Sequence, residues 1–275
     1  MRSVILVLAD GLRPDAITPT RMPSLDALGA EYTLALQATT VRPSSTVAAL
    51  ASIATGLSPE THGLIEPGLE LLGRIVRIKP LARELARAGV PSRVVTGELT
   101  PVEWNVVRAL TAAAGVGGLT CAGRRAREVA EVAAAVAERR EGGVLFVYLN
   151  DCDRAGHAHG WMSREYLEAA VEVDTAVGML SGYLWDALLV VLADHGGGGV
   201  TPTRHHEPHP ANDRIPLVLA GYGVTRRHRL TRPVSILDVP PTLCHWLGVP
   251  VPAGYEGRAL TEAFVKAPSA TRVGV

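Results

Sequence analysis

Four short apolar runs constrain the fold of this 275-residue chain more than any other feature of its sequence. They are rich in Val, Leu and Ile, and each is followed by a polar residue or a glycine. A strand that is buried on both faces of a sheet has such a continuous apolar sequence. The runs that we interpret as strands are Val4–Ala9, Val144–Leu149, Leu188–Ala193 and Ile215–Ala220.

Helical patterns lie between these runs. Residues 124–140 place an Ala/Val stripe against Arg and Glu, and residues 164–185 have a similar pattern. This alternation predicts an α/β fold with a mostly parallel central sheet sandwiched by helices in three α/β/α layers. Hydrophobic residues make up 47% of the sequence, enough for one large core, so we expect a single domain over residues 1–275.

The middle of the chain, residues 64–123, is the least informative stretch. It has turn signals at Glu66-Pro67-Gly68 and Gly117-Gly118, and a helical pattern near Leu81–Ala88. It contains no repeat and no linker sequence. Its length would allow a small insertion that shapes access to a substrate site.

Carboxylates and imidazoles occur where the predicted strands end. Asp10 follows the first run, Asp151 and Asp153 follow the second, and Asp194 and His195 follow the third. A histidine-rich segment, residues 205–209, precedes the fourth run. Ligands of open α/β sheets bind beyond the carboxyl ends of the strands, so we expect these side chains to converge at one edge.

Such a mixed set of oxygen and nitrogen ligands is typical of a transition-metal site. Zn²⁺, Mn²⁺ and Fe²⁺ accept both ligand types, whereas Ca²⁺ and Mg²⁺ prefer oxygen alone. A single Asp at a strand end is more often a turn former or a helix cap, and a single Asp/His pair can be an ion pair. Four such groups at four predicted strand ends favour metal binding.

A run of hydroxyls lies ahead of an apolar helical segment. Residues 43–50 read as a loop that enters a helix extending to Thr55-Gly56. A hydroxyl at a helix N-terminus is well placed to meet a phosphate, because free backbone N–H groups and the helix dipole favour anions there. Plain N-capping by Ser44 or Ser45 explains the same pattern, and the sequence leaves both interpretations open.

Charge and cysteine content bear on partners and compartment. The formal net charge is zero, which removes the long-range attraction that nucleic-acid binders use, so we expect no nucleic acid polymer as partner. No apolar run is long enough to span a bilayer, so we expect no membrane partner. The three scattered cysteines, Cys121, Cys152 and Cys244, suggest no disulfide framework and favour a cytoplasmic location. The oligomeric state is not predicted.

Several blocks match a known family in their order along the chain, and together they cover nearly everything outside the middle stretch. The chain resembles the alkaline phosphatase superfamily, particularly its type I phosphodiesterase and nucleotide pyrophosphatase branch. The matching blocks are residues 9–15, 43–46, 55–63, 153–160, 194–197, 215–217, 236–243 and 257–260.

The resemblance implies two divalent metal ions, with Zn²⁺ first and Mn²⁺ or Fe²⁺ as alternatives. It implies that Thr46, nine residues before the Thr-Gly pair, is the nucleophile. The implied ligands of one ion are Asp10, Thr46, Asp194 and His195. Those of the other are Asp153, His157 and a late histidine, for which the family spacing favours His205 over His206, with His209 also in the segment.

One departure from the family concerns phosphate binding. Relatives usually carry an Asn three residues after the nucleophile, and this chain has Ala49. The replacement donor would be a backbone N–H or one of Arg13, Arg42 and Arg154. His159 and Trp161 are candidates for the leaving-group pocket, and packing explains them equally well.

The resemblance implies a two-metal hydrolase of small-molecule phosphate esters, either phosphodiesterase or phosphatase, that acts through a phosphothreonine. Related sulfatase or phosphomutase chemistry is an alternative, although residues 43–49 lack the sulfatase C/S-x-P-x-R motif and the chain is short for a mutase cap domain. A catalytically silent metal-binding or phosphate-binding module is a second alternative. The presence of both the hydroxyl and the full ligand set favours the enzyme.

Overall fold

The computed structural model describes residues 2–66, 73–74 and 78–265. Within these residues eight strands form one sheet, and β1 lies near its centre. The strands are β1 Ser3–Ala9, β2 Thr33–Thr39, β3 Ser92–Thr96, β4 Gly118–Cys121, β5 Gly143–Leu149, β6 Ala187–Leu192, β7 Arg214–Gly221 and β8 His228–Arg229. Their order across the sheet is β4-β3-β5-β1-β6-β7-β2-β8.

All four predicted strands are confirmed to within one residue at each end, and they are the four central neighbours β5, β1, β6 and β7. The sheet is mostly parallel, as predicted. The exception is β7, which runs antiparallel to both β6 and β2. Every residue of β6 is buried, and β1 is buried from its second residue onward, which accounts for their unbroken apolar sequences.

Helices cover both faces of the sheet. They are α1 Pro23–Glu31, α2 Thr46–Thr55, α3 Pro59–His62, α4 Leu81–Arg87, α5 Pro101–Ala114, α6 Ala126–Ala137, α7 Asp151–His159, α8 Arg164–Leu180, α9 Pro210–Asp213 and α10 Val239–Leu247, with short 3₁₀ turns at Pro14–Ala16, Ser181–Tyr183, Ile236–Asp238 and Thr261–Ala263. In one helical layer α8 packs against α1, α6 and α7, and in the other α2 packs against α4 and α10. No helix in this described part combines the length and the hydropathy needed to cross a bilayer.

The predicted helical patterns correspond to α6 and α8, although α8 ends at Leu180, five residues early, where the chain tightens into a 3₁₀ turn. In the middle stretch the pattern near Leu81 is α4. The predicted turn at Pro67-Gly68 lies outside the described residues, and Gly118 begins β4.

The middle stretch also contributes two strands, β3 and β4, to one end of the sheet, and the helix α5 between them. The sequence interpretation missed these elements. Both strands are short, and β4 is only partly buried, so their apolar pattern is weak. The start of α5 did have a signal, because Thr100 and Glu103 form a capping box on either side of Pro101.

Parallel pairing brings three strand ends to one edge. Ala9 of β1 pairs with Leu149 of β5, and Leu8 pairs with Leu192 of β6. The polar residues that follow these strands therefore leave the sheet side by side. Since β7 is antiparallel, the loop that precedes it, residues 193–213, returns to the same edge.

Candidate active site

Asp10, Asp194 and His195 form a buried group at this edge, which we call the inner group. One ligand atom from each residue lies within 4.8 Å of the others. The Nε2 atom of His195 is 3.4 Å from Oδ1 of Asp10 and 3.5 Å from Oδ2 of Asp194. No side chain of the group is more than 2% exposed, so two carboxylates face one imidazole away from bulk water.

Each inner carboxylate has one oxygen that is held and one that is not. The hydroxyl of Tyr148 donates to Oδ2 of Asp10. The backbone N–H groups of Gly11 and His195 donate to Oδ1 of Asp194 at 3.2 and 3.0 Å. The remaining oxygens, Oδ1 of Asp10 and Oδ2 of Asp194, are buried without a hydrogen-bond donor.

Asp153, His157 and His205 form a second cluster beside the first, which we call the outer group. Oδ1 of Asp153 is 3.4 Å from Nε2 of His157 and 3.9 Å from Nε2 of His205. This carboxylate oxygen is also buried without a donor. The rings of His195 and His205 stack at 3.8 Å, so the two groups are contiguous.

The three imidazoles are held in one tautomer. Since a backbone carbonyl can only accept, each Nδ1 that contacts one must carry the proton. His195 donates to Gly196 at 2.8 Å, His157 to Thr203 at 2.9 Å, and His205 to Ser44 at 2.6 Å. In the neutral imidazole this leaves the lone pair of each Nε2 facing a carboxylate, the arrangement of metal-binding histidines whose second nitrogen is fixed by a hydrogen bond.

The electrostatics of the two groups match this geometry. Burial, reinforced by Asp194, raises the pKa of Asp10 to about 8. Burial, reinforced by Asp153, raises the pKa of Asp194 to about 7, and burial together with Asp10 raises that of Asp153 to about 6. Burial and the neighbouring His195 lower the pKa of His205 to about 3.

The residues therefore fit divalent cations. Three neighbouring carboxyl groups with raised pKa values, three carboxylate oxygens without donors and three Nε2 atoms that face them favour positive charge between them. Gly11 permits the close approach of the two groups. A Cβ at this residue, whose φ is +70°, would lie 2.9 Å from the Cα of Asp153.

The three hydroxyls ahead of α2 have three different contacts. Ser45 is the N-cap, and its Oγ accepts from the N–H of Ala48 at 3.4 Å. Ser44 is buried, and its Oγ donates to the backbone carbonyl of His205. Thr46 is the first residue of α2, and its Oγ1 lies 3.2 Å from Nε2 of His195. The residue that caps α2 and the residue predicted to be the nucleophile are thus different members of the same segment.

Of the three candidate late histidines, His205 is the one placed in the cluster. It is 3% exposed, whereas His206 is exposed, with its ring centroid 4.1 Å from that of His205. His209 caps α9, because its Nδ1 accepts from the N–H of Ala211. The predicted metal residues Asp10, Thr46, Asp153, His157, Asp194, His195 and His205 come together, and His206 lies at the margin.

The candidate phosphate-binding arginines are engaged with other acceptors. Arg13 donates to Asp15 and to the carbonyl of Gly197, and Arg42 pairs with Asp213. Arg154 lies on α7 but donates to Asn150, Asp151 and the carbonyl of Arg124 rather than toward the cluster. His159 is exposed at the end of α7, and Ala49 is completely buried.

Two aromatic residues, Trp161 and Tyr148, contact ligands of the inner and outer groups. Trp161 is 6% exposed, donates its Nε1–H to the carbonyl of Gly11 at 2.9 Å, and packs edge-on against His157 and His205. Its contacts are those of a packed aromatic. Tyr148 contacts Asp10 directly, and the sequence interpretation missed it, although its position near the end of the second apolar run was the available signal.

Comparisons with known proteins agree with the fold and with the resemblance. The sequence matches the family described as type I phosphodiesterase / nucleotide pyrophosphatase over residues 4–68 and 86–229. It is 34% identical over 101 residues to GPI ethanolamine phosphate transferase 1 of Candida glabrata, a match that covers 34% of this chain and 11% of that protein. It is also 34% identical over 83 residues to Delta 4,5-hexuronate-2-O-sulfatase of Bacteroides thetaiotaomicron, covering 27% of this chain and 17% of the sulfatase. The chain thus spans between 11% and 17% of the length of these curated relatives.

Solved structures share the architecture at low identity. Phosphonate monoester hydrolase from Silicibacter pomeroyi superposes with a TM-score of 0.70 at 19% identity, covering 99% of this chain and 78% of the hydrolase. A protein in the alkaline phosphatase superfamily from Vibrio parahaemolyticus superposes with a TM-score of 0.72 at 18% identity, covering 94% and 69% of the two chains.

The named relatives are hydrolases or transferases of phosphate, phosphonate or sulfate esters. The family match extends over most of the sequence and includes both ligand groups and Thr46. The chain therefore has the fold of the alkaline phosphatase superfamily, and it belongs to the type I phosphodiesterase / nucleotide pyrophosphatase family.

Proposed function

We propose that this chain hydrolyses small-molecule phosphate esters with two divalent cations and passes through a phosphothreonine at Thr46. The observation that carries the proposal is the position of the Thr46 hydroxyl. Its Oγ1 lies 3.2 Å from Nε2 of His195, at the start of α2 and beside the inner group. A hydroxyl that only capped the helix would contact a first-turn N–H, and Ser45 already does so.

The inner group and Thr46 would hold one cation, and the outer group would hold the other. The mix of carboxylate and imidazole favours Zn²⁺, with Mn²⁺ or Fe²⁺ as alternatives. When bound, such ions supply Lewis acidity, which lowers the pKa of a coordinated alcohol and stabilises charge on the attacking and leaving oxygens. The protein holds the ligands ready for this, since hydrogen bonds already fix three imidazoles and two carboxylates.

Thr46 performs the covalent step. Oγ1 forms a bond to phosphorus, the ester oxygen leaves with the electrons of the broken P–O bond, and the proton lost by the hydroxyl ends on that departing oxygen to give the alcohol. In the second half, water bonds to phosphorus and the bond to Oγ1 breaks. Thr46 regains a proton, so that one ester and one water give one alcohol and one phosphate or phosphomonoester.

The start of α2 is the proposed site for the phosphoryl oxygens. The first-turn N–H groups of a helix lack partners within the helix, and the helix dipole favours an anion there. Ala49 cannot replace the usual Asn, because it is buried and carries no donor. Arg13, Arg42 and Arg154 are engaged elsewhere, so we infer that backbone N–H groups take this role.

Sulfate ester hydrolysis is the second candidate, because a sulfatase is among the relatives. Phosphate ester hydrolysis is favoured because the hydroxyl that contacts His195 belongs to a threonine, Thr46. Sulfatases use a Cys or Ser that is converted to formylglycine. We propose further that the substrate is a phosphodiester, a phosphomonoester or a phosphonate ester. The cytoplasmic location and the absence of nucleic acid polymer and membrane partners are also proposals.

A substrate panel with metal-stripped protein tests the proposal. The protein is assayed on p-nitrophenyl phosphate, bis-p-nitrophenyl phosphate, p-nitrophenyl phenylphosphonate and p-nitrophenyl sulfate, without metal and with Zn²⁺ or Mn²⁺. We expect metal-dependent turnover of at least one phosphorus ester, and a phosphoryl group on Thr46 in acid-quenched protein analysed by mass spectrometry. Turnover of the sulfate alone, or of nothing, would contradict the proposal.

A further inference from the structure

The strand register explains why Tyr148 reaches Asp10. In the parallel pair of β1 and β5, Tyr148 lies opposite Leu8. Side chains two residues apart on a strand point to the same face, so Asp10 follows Leu8 on the face to which Tyr148 also points. The phenol thus extends along the edge of the sheet toward the carboxylate, and its hydroxyl donates to Oδ2.

This hydrogen bond decides which oxygen of Asp10 is free. With Oδ2 occupied by Tyr148, Oδ1 is left buried without a donor and faces Nε2 of His195 at 3.4 Å. Asp194 likewise has one occupied oxygen and one free oxygen, because its Oδ1 accepts hydrogen bonds from two backbone N–H groups. A side-chain substitution would not remove these backbone donors. For Asp10 the corresponding donor is one replaceable side chain.

We propose that Tyr148 is a positioning residue that holds Asp10 in the orientation required by the cation of the inner group. This inference rests on the two-cation part of the proposed function. Without the hydroxyl, Asp10 loses a charge-assisted hydrogen bond, its carboxylate can rotate, and both of its oxygens are buried without a donor. Substitution of a hydrogen-bond partner of this kind weakens metal affinity.

The test compares Tyr148→Phe with Tyr183→Phe in metal-stripped protein, by Zn²⁺ competition with a chromogenic chelator. Tyr183 offers a matched control because its hydroxyl contacts the Ala134 carbonyl and Glu138. It lies beside Ser3, Gly143 and Ala187, the first residues of β1, β5 and β6, and therefore at the opposite edge of the sheet from both ligand groups. For Tyr148→Phe we expect about 10-fold to 100-fold weaker binding of one of two Zn²⁺ ions, with the other unchanged. Tyr183→Phe should bind both ions like the wild type. Wild-type affinity for both ions in Tyr148→Phe would overturn the inference.

Two further measurements separate positioning from folding. Thermal unfolding of the metal-free proteins should give a midpoint only about 2–4 °C lower for Tyr148→Phe than for wild type, as expected for the loss of one hydrogen bond. Equal weakening of both ions together with a much larger drop in this midpoint would overturn the inference. In an Asp10→Asn background, adding Tyr148→Phe should cause little further loss of Zn²⁺ affinity, because both changes act on one carboxylate. A full additional loss would also overturn it. The readout is binding, so weakened binding in a protein that hydrolyses no ester would support the positioning role and count against the proposed function alone.

Discussion

The inner and outer groups have similar ligands but different surroundings. The inner side chains of Asp10, Asp194 and His195 are at most 2% exposed, whereas in the outer group Asp153 is 19% and His157 is 44% exposed. The inner ligands follow the central strands β1 and β6. The outer ligands come from α7 and from the loop ahead of β7, at the rim of the sheet.

Under the proposed two-cation function, this difference in surroundings gives the two cations different expected affinities and exchange rates. The inner group has two carboxylates and one imidazole in a dry setting, so it should bind its cation tightly and exchange it slowly. The outer group has one carboxylate and two imidazoles and opens to solvent, so its cation should exchange faster. Thr46 adjoins the inner group through His195, which places the proposed nucleophile beside the cation that is expected to exchange more slowly.

The largest expected effect separates chemistry from metal binding. Thr46→Ala should lower kcat for the best phosphorus ester by about 10³-fold or more, because the covalent route is lost. Both cations should stay bound, since three protein ligands remain in the inner group and the outer group is untouched. Steady-state kinetics and metal analysis of the purified variant measure the two quantities. Thr46→Ser, which keeps a hydroxyl, is the control and should retain more activity than the alanine variant.

Loss of both metal ions in Thr46→Ala would contradict the separation of the nucleophile from the metal ligands. It would mean that the hydroxyl is needed to assemble the inner group.

The next effect compares the two groups directly. Asp194→Asn should weaken binding of the inner cation by about 10²-fold or more, and Asp153→Asn should do the same for the outer cation, because each isosteric change removes one negative charge. Stepwise extraction of the wild type with a weak chelator should remove one ion well before the second. In Asp153→Asn the fast-released ion should be missing, and in Asp194→Asn the slow one. Release of both ions at one rate in the wild type would show that the difference in burial does not control exchange.

The comparison also shows what the sequence could predict. Burial on both faces of the sheet forces the central strands to be continuous apolar runs, so their carboxyl ends, and with them Asp10, Asp153, Asp194 and His195, were predictable. The rim was harder. Which of three nearby histidines turns inward depends on the loop ahead of β7, where Ser44 and His205 contact each other across 161 residues.

The arginines were unpredictable for the same reason. Arg42 pairs with Asp213, and Arg13 donates to the carbonyl of Gly197. Both contacts join segments that are far apart in the chain. The local sequence shows that a guanidinium is charged and how far its side chain can extend. It does not show which acceptor the guanidinium contacts. The edge strands β4 and β8 were missed because they are short and only partly buried.

The pH dependence of metal-free protein provides an intermediate test. The folded pKa values of Asp10, Asp194 and Asp153, about 8, 7 and 6, lie above the ordinary 3.8, so the stability they contribute is complete below about pH 4 and is lost as pH rises through these values. His205, whose folded pKa of about 3 lies below the ordinary 6.5, has the opposite sign and loses its contribution as pH falls from 6.5. From pH 6.5 to 8.5 the carboxyl contribution alone should therefore lower stability, on the order of 2 kcal/mol.

Thermal unfolding at pH 6.5, 7.5 and 8.5, with and without Zn²⁺, measures this effect. The metal-free midpoint should fall with pH, and the Zn²⁺-loaded midpoint should rise, because cations bind the ionised carboxylates. Asp10→Asn should flatten the metal-free profile. A metal-free midpoint that rises between pH 6.5 and 8.5 would show that the inner carboxylates are not under the strain that their burial implies.

The smallest expected effect tests how the outer group is tied to the nucleophile segment. Ser44→Ala removes the hydroxyl that donates to the His205 carbonyl but keeps the Ser44 carbonyl that accepts from Nδ1 of His205. Losing one such hydrogen bond amounts to about 1 kcal/mol, so affinity for the outer cation should fall only about 5-fold. Ser45→Ala is the matched control: it removes the α2 cap and should lower stability by about 1 kcal/mol without changing either affinity. If the two neighbouring serines gave the same result in Zn²⁺ competition, the Ser44 hydroxyl would contribute nothing to the outer group. The outer group would then be tied to the segment that carries Thr46 through the contact between Nδ1 of His205 and the Ser44 carbonyl.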